Sequence, residues 1–179
     1  MNKHIWINSA LLPTIVLTLL FCSCSGKGKN KIDNEKKNDI FKSSLTEKQI
    51  GNSDYYISLP MNYSIKENNG PDFSIYYFSL TDTNVKEDFE GGLYFGNFPG
   101  EFDKDNDSCK TTKIKSQILD TIGNWTVYNC NGDYILQTII KSKSRQDWNE
   151  LIHAFGRARS EINMHKLLDI YSTLKQKKK

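Results

Sequence analysis

Three kinds of side chain in this sequence could carry chemistry: an acidic run near position 105, the four cysteines and the three histidines. Asp103, Asp105 and Asp107 alternate with Lys104 and Asn106, with Glu101 just before them. Alternate carboxylates can converge on calcium, which takes about six to eight oxygens. Counted from Asp103, however, Ser108 stands at the sixth position, where such a loop needs Gly, and Ile114 at the twelfth, where a bidentate Glu closes the cage. The three Asp are weak metal candidates, and a solvated acidic loop is the expected reading.

Nucleophilic catalysis needs a base within hydrogen-bond reach of a Ser or Cys. His153 and His165 both fall in stretches read as helix, which makes His153 a helix-surface residue, and no Gly-x-Ser-x-Gly turn occurs. Gly91-Gly92 and Gly96 stand inside a strand pattern and open no phosphate-cradling helix. No catalytic residue and no cofactor is therefore expected. With so few histidines, Cys109 and Cys130 read as a disulfide and not as zinc ligands. That bond would close a loop of roughly 20 residues, worth ~3 kcal/mol in the chain-entropy account. A hairpin turn centred on Ile122 would set Cys130 opposite Lys113 or Ile114, so Cys109 would have to fold back to reach it.

The elements that must position these groups fall into two regimes. From Asp54 the apolar residues recur with period two, the mark of half-buried strands. Tyr55, Ile57 and Leu59 alternate before Pro60; Tyr63 and Ile65 follow; then Asp72 to Leu80 puts Phe73, Ile75 and Tyr77 opposite Tyr76, Phe78 and Leu80. Further strands are expected at Gly91 to Pro99, Lys113 to Leu119, Trp125 to Cys130 and Tyr134 to Ile140. Near the C-terminus the period changes. Trp148, Leu151, Ile152 and Phe155 fall at helical spacing, and Met164, Leu167, Leu168, Tyr171 and Leu174 form a second stripe after Ser160. The expected fold is α+β, a mainly antiparallel sheet of about six strands with C-terminal helices packed on it.

Composition bounds the function. A formal net charge of +3 on 179 residues is too small to point to nucleic acid, and 12% aromatics exclude disorder of the whole chain. The charge is nonetheless unevenly placed: residues 24–50 carry seven Lys against four acids, residues 51–144 eight Lys against thirteen acids, and residues 145–179 eight basic residues against four acids. An acidic middle lies between two basic flanks.

The N-terminus has the parts of an export signal: Lys3 and His4, then an apolar stretch from Ile5 to Phe21 interrupted by Asn8, Ser9, Pro13 and Thr14. Phe21-Cys22-Ser23-Cys24-Ser25-Gly26 closes it, and a small residue before a Cys resembles the lipidation site of bacterial lipoproteins. The resemblance implies cleavage after Ser23 and acylation of Cys24, palmitate included, with residues 1–23 as the signal peptide. It also implies an envelope location, anchored in the outer membrane and facing the periplasm. Residues 24–50, rich in Lys, Asn, Asp and Glu, read as a flexible tether, and residues 51–179 as the single folded domain.

Tyr56-Ile57-Ser58-Leu59-Pro60 with Tyr63, the aromatic strand Phe73 to Phe78, Gly91-Gly92-Leu93-Tyr94 and the closing Leu167 to Leu174 together resemble PsbP-like domains over residues 53–176. The resemblance implies an α-β-α sandwich with binding and assembly roles. Tyr55, Tyr63, Tyr76, Tyr94 and Phe98 are the candidate binding face, because so many aromatics cannot all be core and Tyr offers wide contact area at low entropy cost. The expected function is a membrane-anchored module that binds an envelope protein or ligand, toxin neutralisation being one form. An envelope hydrolase acting on cell-wall glycans is the alternative, and it would show as a pocket with convergent carboxylates.

Overall fold

The computed structural model describes residues 39–82, 84–86, 88–102, 109–143 and 150–177. In chain order the strands are β1 (Thr46–Gln49), β2 (Tyr55–Leu59), β3 (Tyr63–Asn69), β4 (Phe73–Leu80), β5 (Phe89–Gly96), β6 (Lys110–Ile118), β7 (Thr121–Cys130), β8 (Asp133–Lys141), β9 (Leu151–Ala158) and β10 (Lys175–Gln176). A helical turn spans residues 39–43, and one helix, α1 (Glu161–Tyr171), lies between β9 and β10. The strands form a seven-stranded sheet ordered β3-β4-β5-β9-β8-β7-β6 and a three-stranded sheet ordered β1-β2-β10, antiparallel throughout.

This β-rich architecture overturns the α+β expectation of about six strands under a pair of C-terminal helices. The first expected helix is β9, at the centre of the large sheet between β5 and β8. Leu151, Ile152 and Phe155 satisfy helical spacing, but the stretch also alternates: Ile152, Ala154, Gly156 and Ala158 are buried on one side, while Leu151, His153, Phe155 and Arg157 face the other. Small residues hid that alternation, and pairing on both edges supplies β9 with every ladder hydrogen bond a lone helix would have made for itself. Among the described residues no second helical layer covers the other face, so the α-β-α layering expected by resemblance is absent there.

The second helical stripe was legible. Ser160 caps α1, its hydroxyl accepting the Asn163 N–H at 3.2 Å, and Met164, Leu167, Leu168, Tyr171 and Leu174 are all buried. The helix approaches β9 closely because Gly156 has no side chain: a Cβ there would lie 2.6 Å from the Leu167 methyl. Tyr171 reaches further, between β5 and β9. Its hydroxyl accepts the Gly92 N–H at 3.2 Å and bonds the Phe155 carbonyl. Complete burial pushes its ionisation far up.

The small sheet and α1 together form a second layer over one face of the large sheet. Tyr55 packs on Phe95 with ring centroids 5.1 Å apart, and Ile50, Ile57 and Leu59 are buried beneath β1 and β2. The folded body therefore begins before residue 51. Phe41 and Leu45, assigned by composition to the tether, pack against the core, and residues 46–49 pair with β2. Low hydrophobicity misled here because a few apolar residues, rather than the average, dock the segment. Residues 1–38, with Cys24, lie outside the described residues.

The hairpin β6–β7 turns at Leu119-Asp120, not at Ile122. Both residues have positive φ, 49° and 58°, as a two-residue turn matched to strand twist requires. Leu119 is buried, and that burial holds a residue poorly suited to the left-handed region. The register then continues from Lys110 opposite Asn129 to Cys109 opposite Cys130, whose Cα atoms are 4.2 Å apart and whose sulfurs are bonded. The expected disulfide is present without any fold-back.

Candidate functional site

β5 and β6 run in the same direction at different places in the sheet, so the chain between them must return along the sheet while passing β9, β8 and β7. Its described part, residues 97–102, crosses the face that α1 leaves open. The side chain of Gln137 holds it there like a strand partner. Gln137 Oε1 accepts the Phe102 N–H at 2.8 Å, and Gln137 Nε2 donates to the Phe102 carbonyl at 2.7 Å. The Tyr128 hydroxyl donates to the same carbonyl at 2.9 Å.

His153 lies under this clamp, 3% exposed, with Nε2 3.1 Å from Gln137 Oε1. Since that oxygen is an acceptor, Nε2 carries the proton. Burial lowers its pKa from 6.5 to about 4. The rings of Phe102 and Phe155 lie 5.7 and 5.5 Å from it. The helix-surface assignment of His153 is thus corrected, for the same reason that β9 was misread.

Beside the clamp the open face forms a cleft of about 410 Å³ lined by Tyr77, Phe102, Ile135 and Phe155, with Glu90 and Arg157 at its polar side. Cross-strand register builds it. Tyr77, Gly92, Phe155 and Gln137 form one row, and Glu90, Arg157 and Ile135 the next. Gly92 matters because the Phe155 ring lies across it: a Cβ there would stand 2.7 Å from that ring. Tyr77 and Phe102 each meet Phe155 edge-on, with centroids 5.9 and 5.8 Å apart. Tyr77 is 42% exposed and Phe102 38%. Arg157 pairs with Asp133, and each holds the other charged. A second depression, of about 420 Å³ at the β6–β7 turn, has the exposed Asp120–Lys143 ion pair on its wall and no aromatic side chain.

The predicted binding face does not assemble. Tyr55, Tyr63 and Tyr76 are buried on the covered side, the Tyr63 hydroxyl donating to the Phe89 carbonyl at 2.8 Å. Tyr94 and Phe98 do belong to the open side: the Tyr94 hydroxyl accepts the Phe98 N–H at 3.3 Å, and Phe98 is 81% exposed. Sequence reasoning missed Phe102, Phe155 and Ile135, and it left Tyr77, one of the aromatics too many for the core, out of the candidate face. Tyr77 was recoverable, since alternation already set it opposite Tyr76. Asp103, Asp105 and Asp107 lie outside the described residues, and among the described residues no three His, Cys, Asp or Glu cluster as metal ligands.

Fold and cleft define a two-layer β-rich domain in which, among the described residues, one aromatic-lined face of the large sheet is left without a helix over it. No family model, curated protein or solved structure matches the chain.

Proposed function

We propose that this protein is a lipid-anchored binding module of a bacterial envelope, which captures an envelope protein by seating one of its apolar side chains in the open-face cleft. One observation carries the reading: Tyr77, Phe102 and Phe155 make an apolar, partly exposed recess on a face that no helix among the described residues covers. A recess of this size suits a single anchor residue, and such anchors supply much of an interface's affinity. The Arg157–Asp133 pair and Glu90 give the recess a polar rim, which sets orientation. The Ser23-Cys24 sequence supports the anchor. For the glycan-hydrolase alternative, Glu90 is the one carboxylate among the described lining residues, and Asp133 nearby is held by Arg157.

The test is in-cell crosslinking and detergent capture of the full-length protein, its Tyr77→Glu form and its Cys24→Ala form, read by mass spectrometry. One protein captured near stoichiometry by the parent should fall at least about tenfold with Tyr77→Glu, as loss of a hot-spot contact predicts. Cys24→Ala should leave the membrane fraction. Capture indifferent to Tyr77→Glu would reject the cleft, and unchanged fractionation of Cys24→Ala would reject the anchor.

A further inference from the structure

The large sheet ends in two strands of different character. β3 closes one side with Lys66 and Glu67 next to each other, and the Glu67 carboxylate already accepts from the Asn69 amide and the Tyr76 hydroxyl. β6 closes the other side. It holds three of the eight lysines of residues 51–144, Lys110, Lys113 and Lys115, and none of the thirteen acids there. Its hairpin partner β7 carries no charged residue, and Asp120 in the turn is engaged by Lys143. Among the described residues Lys110 and Lys115 have no acidic partner. Lys113 donates to the Thr126 hydroxyl at 2.5 Å and keeps two further N–H donors for another group. Among the described residues β6 pairs with β7 alone. In an antiparallel ladder every second residue turns both its N–H and its C=O to one side, so about half of the nine residues of β6 present backbone groups outward. The strand is held at both ends, by the Cys109–Cys130 bond and by the two-residue turn, so little order has to be gained on pairing.

We propose that the outer edge of β6 takes an extended acidic segment of a partner protein as an added strand, with carboxylates two residues apart opposite Lys113 and Lys115. Side chains two apart on a strand share a face. Register says which one: Lys113 stands opposite Thr126, Thr126 opposite Gln137 and Gln137 opposite Phe155, so Lys113 and Lys115 lie on the face that holds the cleft. The edge does not depend on the cleft having an occupant. Ladder hydrogen bonds supply the attachment, and the facing side chains supply the selection. Charge decides against a second copy of this chain. Antiparallel pairing of β6 with itself about Ile114 sets Lys113 opposite Lys115 twice, and centred on Lys113 it sets that lysine against its own copy. Like charges directly opposite one another are destabilising, whereas a strand with acids at those places turns each repulsion into an attraction.

The test uses the full-length protein in detergent and two blocked peptides, each nine residues long to match β6 and equal in charge. The first is built of Val and Thr with two Glu placed two residues apart. In the second, proline replaces one adjacent Val and Thr, which removes a ladder donor from each edge and leaves the charge unchanged. The first peptide should bind and slow amide hydrogen exchange within β6. It should bind at least about tenfold more weakly to the Lys113→Glu/Lys115→Glu form, and added salt should erode the difference. The proline peptide should not bind. Equal binding of the proline peptide would reduce the contact to charge alone and overturn strand addition. Binding indifferent to the double substitution, or slowed exchange confined to other strands, would overturn the site. Slowed exchange in β6 that grows with protein concentration when no peptide is present would assign the edge to a second copy and overturn the acidic partner. A first peptide that does not bind at all sinks the proposal outright.

Discussion

The two faces of the seven-stranded sheet are built from the same strands and differ in what completes them. On the covered face, Gly91 and Gly156 leave room for large side chains from another element, Tyr171 and Leu167 of α1. On the open face the large residues belong to the sheet itself, and Phe155 lies across Gly92 instead of meeting a helix. Cover there comes from a short backbone segment held by the side chain of Gln137. The covered face is thus closed by interdigitation and the open face by hydrogen bonds to one segment, which leaves aromatic surface beside that segment unfilled.

Substitutions should separate the two faces. Leu167→Ala removes a fully buried side chain over Gly156 and should lower stability by about 3–5 kcal/mol in denaturant unfolding, while capture by the folded fraction persists. A smaller loss is expected when Cys109 and Cys130 are both changed to Ser. The bond spans 21 residues, and its removal should cost about 3 kcal/mol, visible as a lower melting temperature that reductant no longer shifts.

Acid should act next, on the open face. His153 is neutral when folded, with its pKa lowered from 6.5 to about 4, so the unfolded chain binds the extra proton between those values. Its contribution to stability is full above pH 6.5 and declines as pH falls to about 4. Urea midpoints measured across that window should drop by the equivalent of about 2–3 kcal/mol at most, and His153→Gln should flatten that part of the profile. Tyr77→Glu should change stability least, by about 0.5 kcal/mol, because the side chain is half exposed; its effect belongs to partner capture.

How much of this was legible in the sequence varies along the chain. Period two placed most strands and set Tyr76 and Tyr77 on opposite faces, but it could not say which face a helix would cover, so buried Tyr76 was chosen for binding in place of exposed Tyr77. β9 was misread because Ala and Gly carry little hydropathy signal, and with it His153 was placed in solvent. The disulfide followed from cysteine count alone; its direct cross-strand geometry depended on a turn at Leu119-Asp120, where neither residue advertises a left-handed conformation. Phe102 carries no local signal at all, since its position follows from the connection between two non-adjacent strands.

The central place of β9 also governs when the molecule can become whole. As the chain grows from its N-terminus, β3-β4-β5 and β6-β7-β8 are each a meander of sequential neighbours that can form early. Until β9 arrives, β5 and β8 are both bare edges with unpaired backbone, the kind of surface that recruits stray strands. One late strand then joins two finished halves and brings α1 with it. A chain cut short before residue 151 should therefore leave both edges exposed and aggregate, which light scattering of the truncated protein would show.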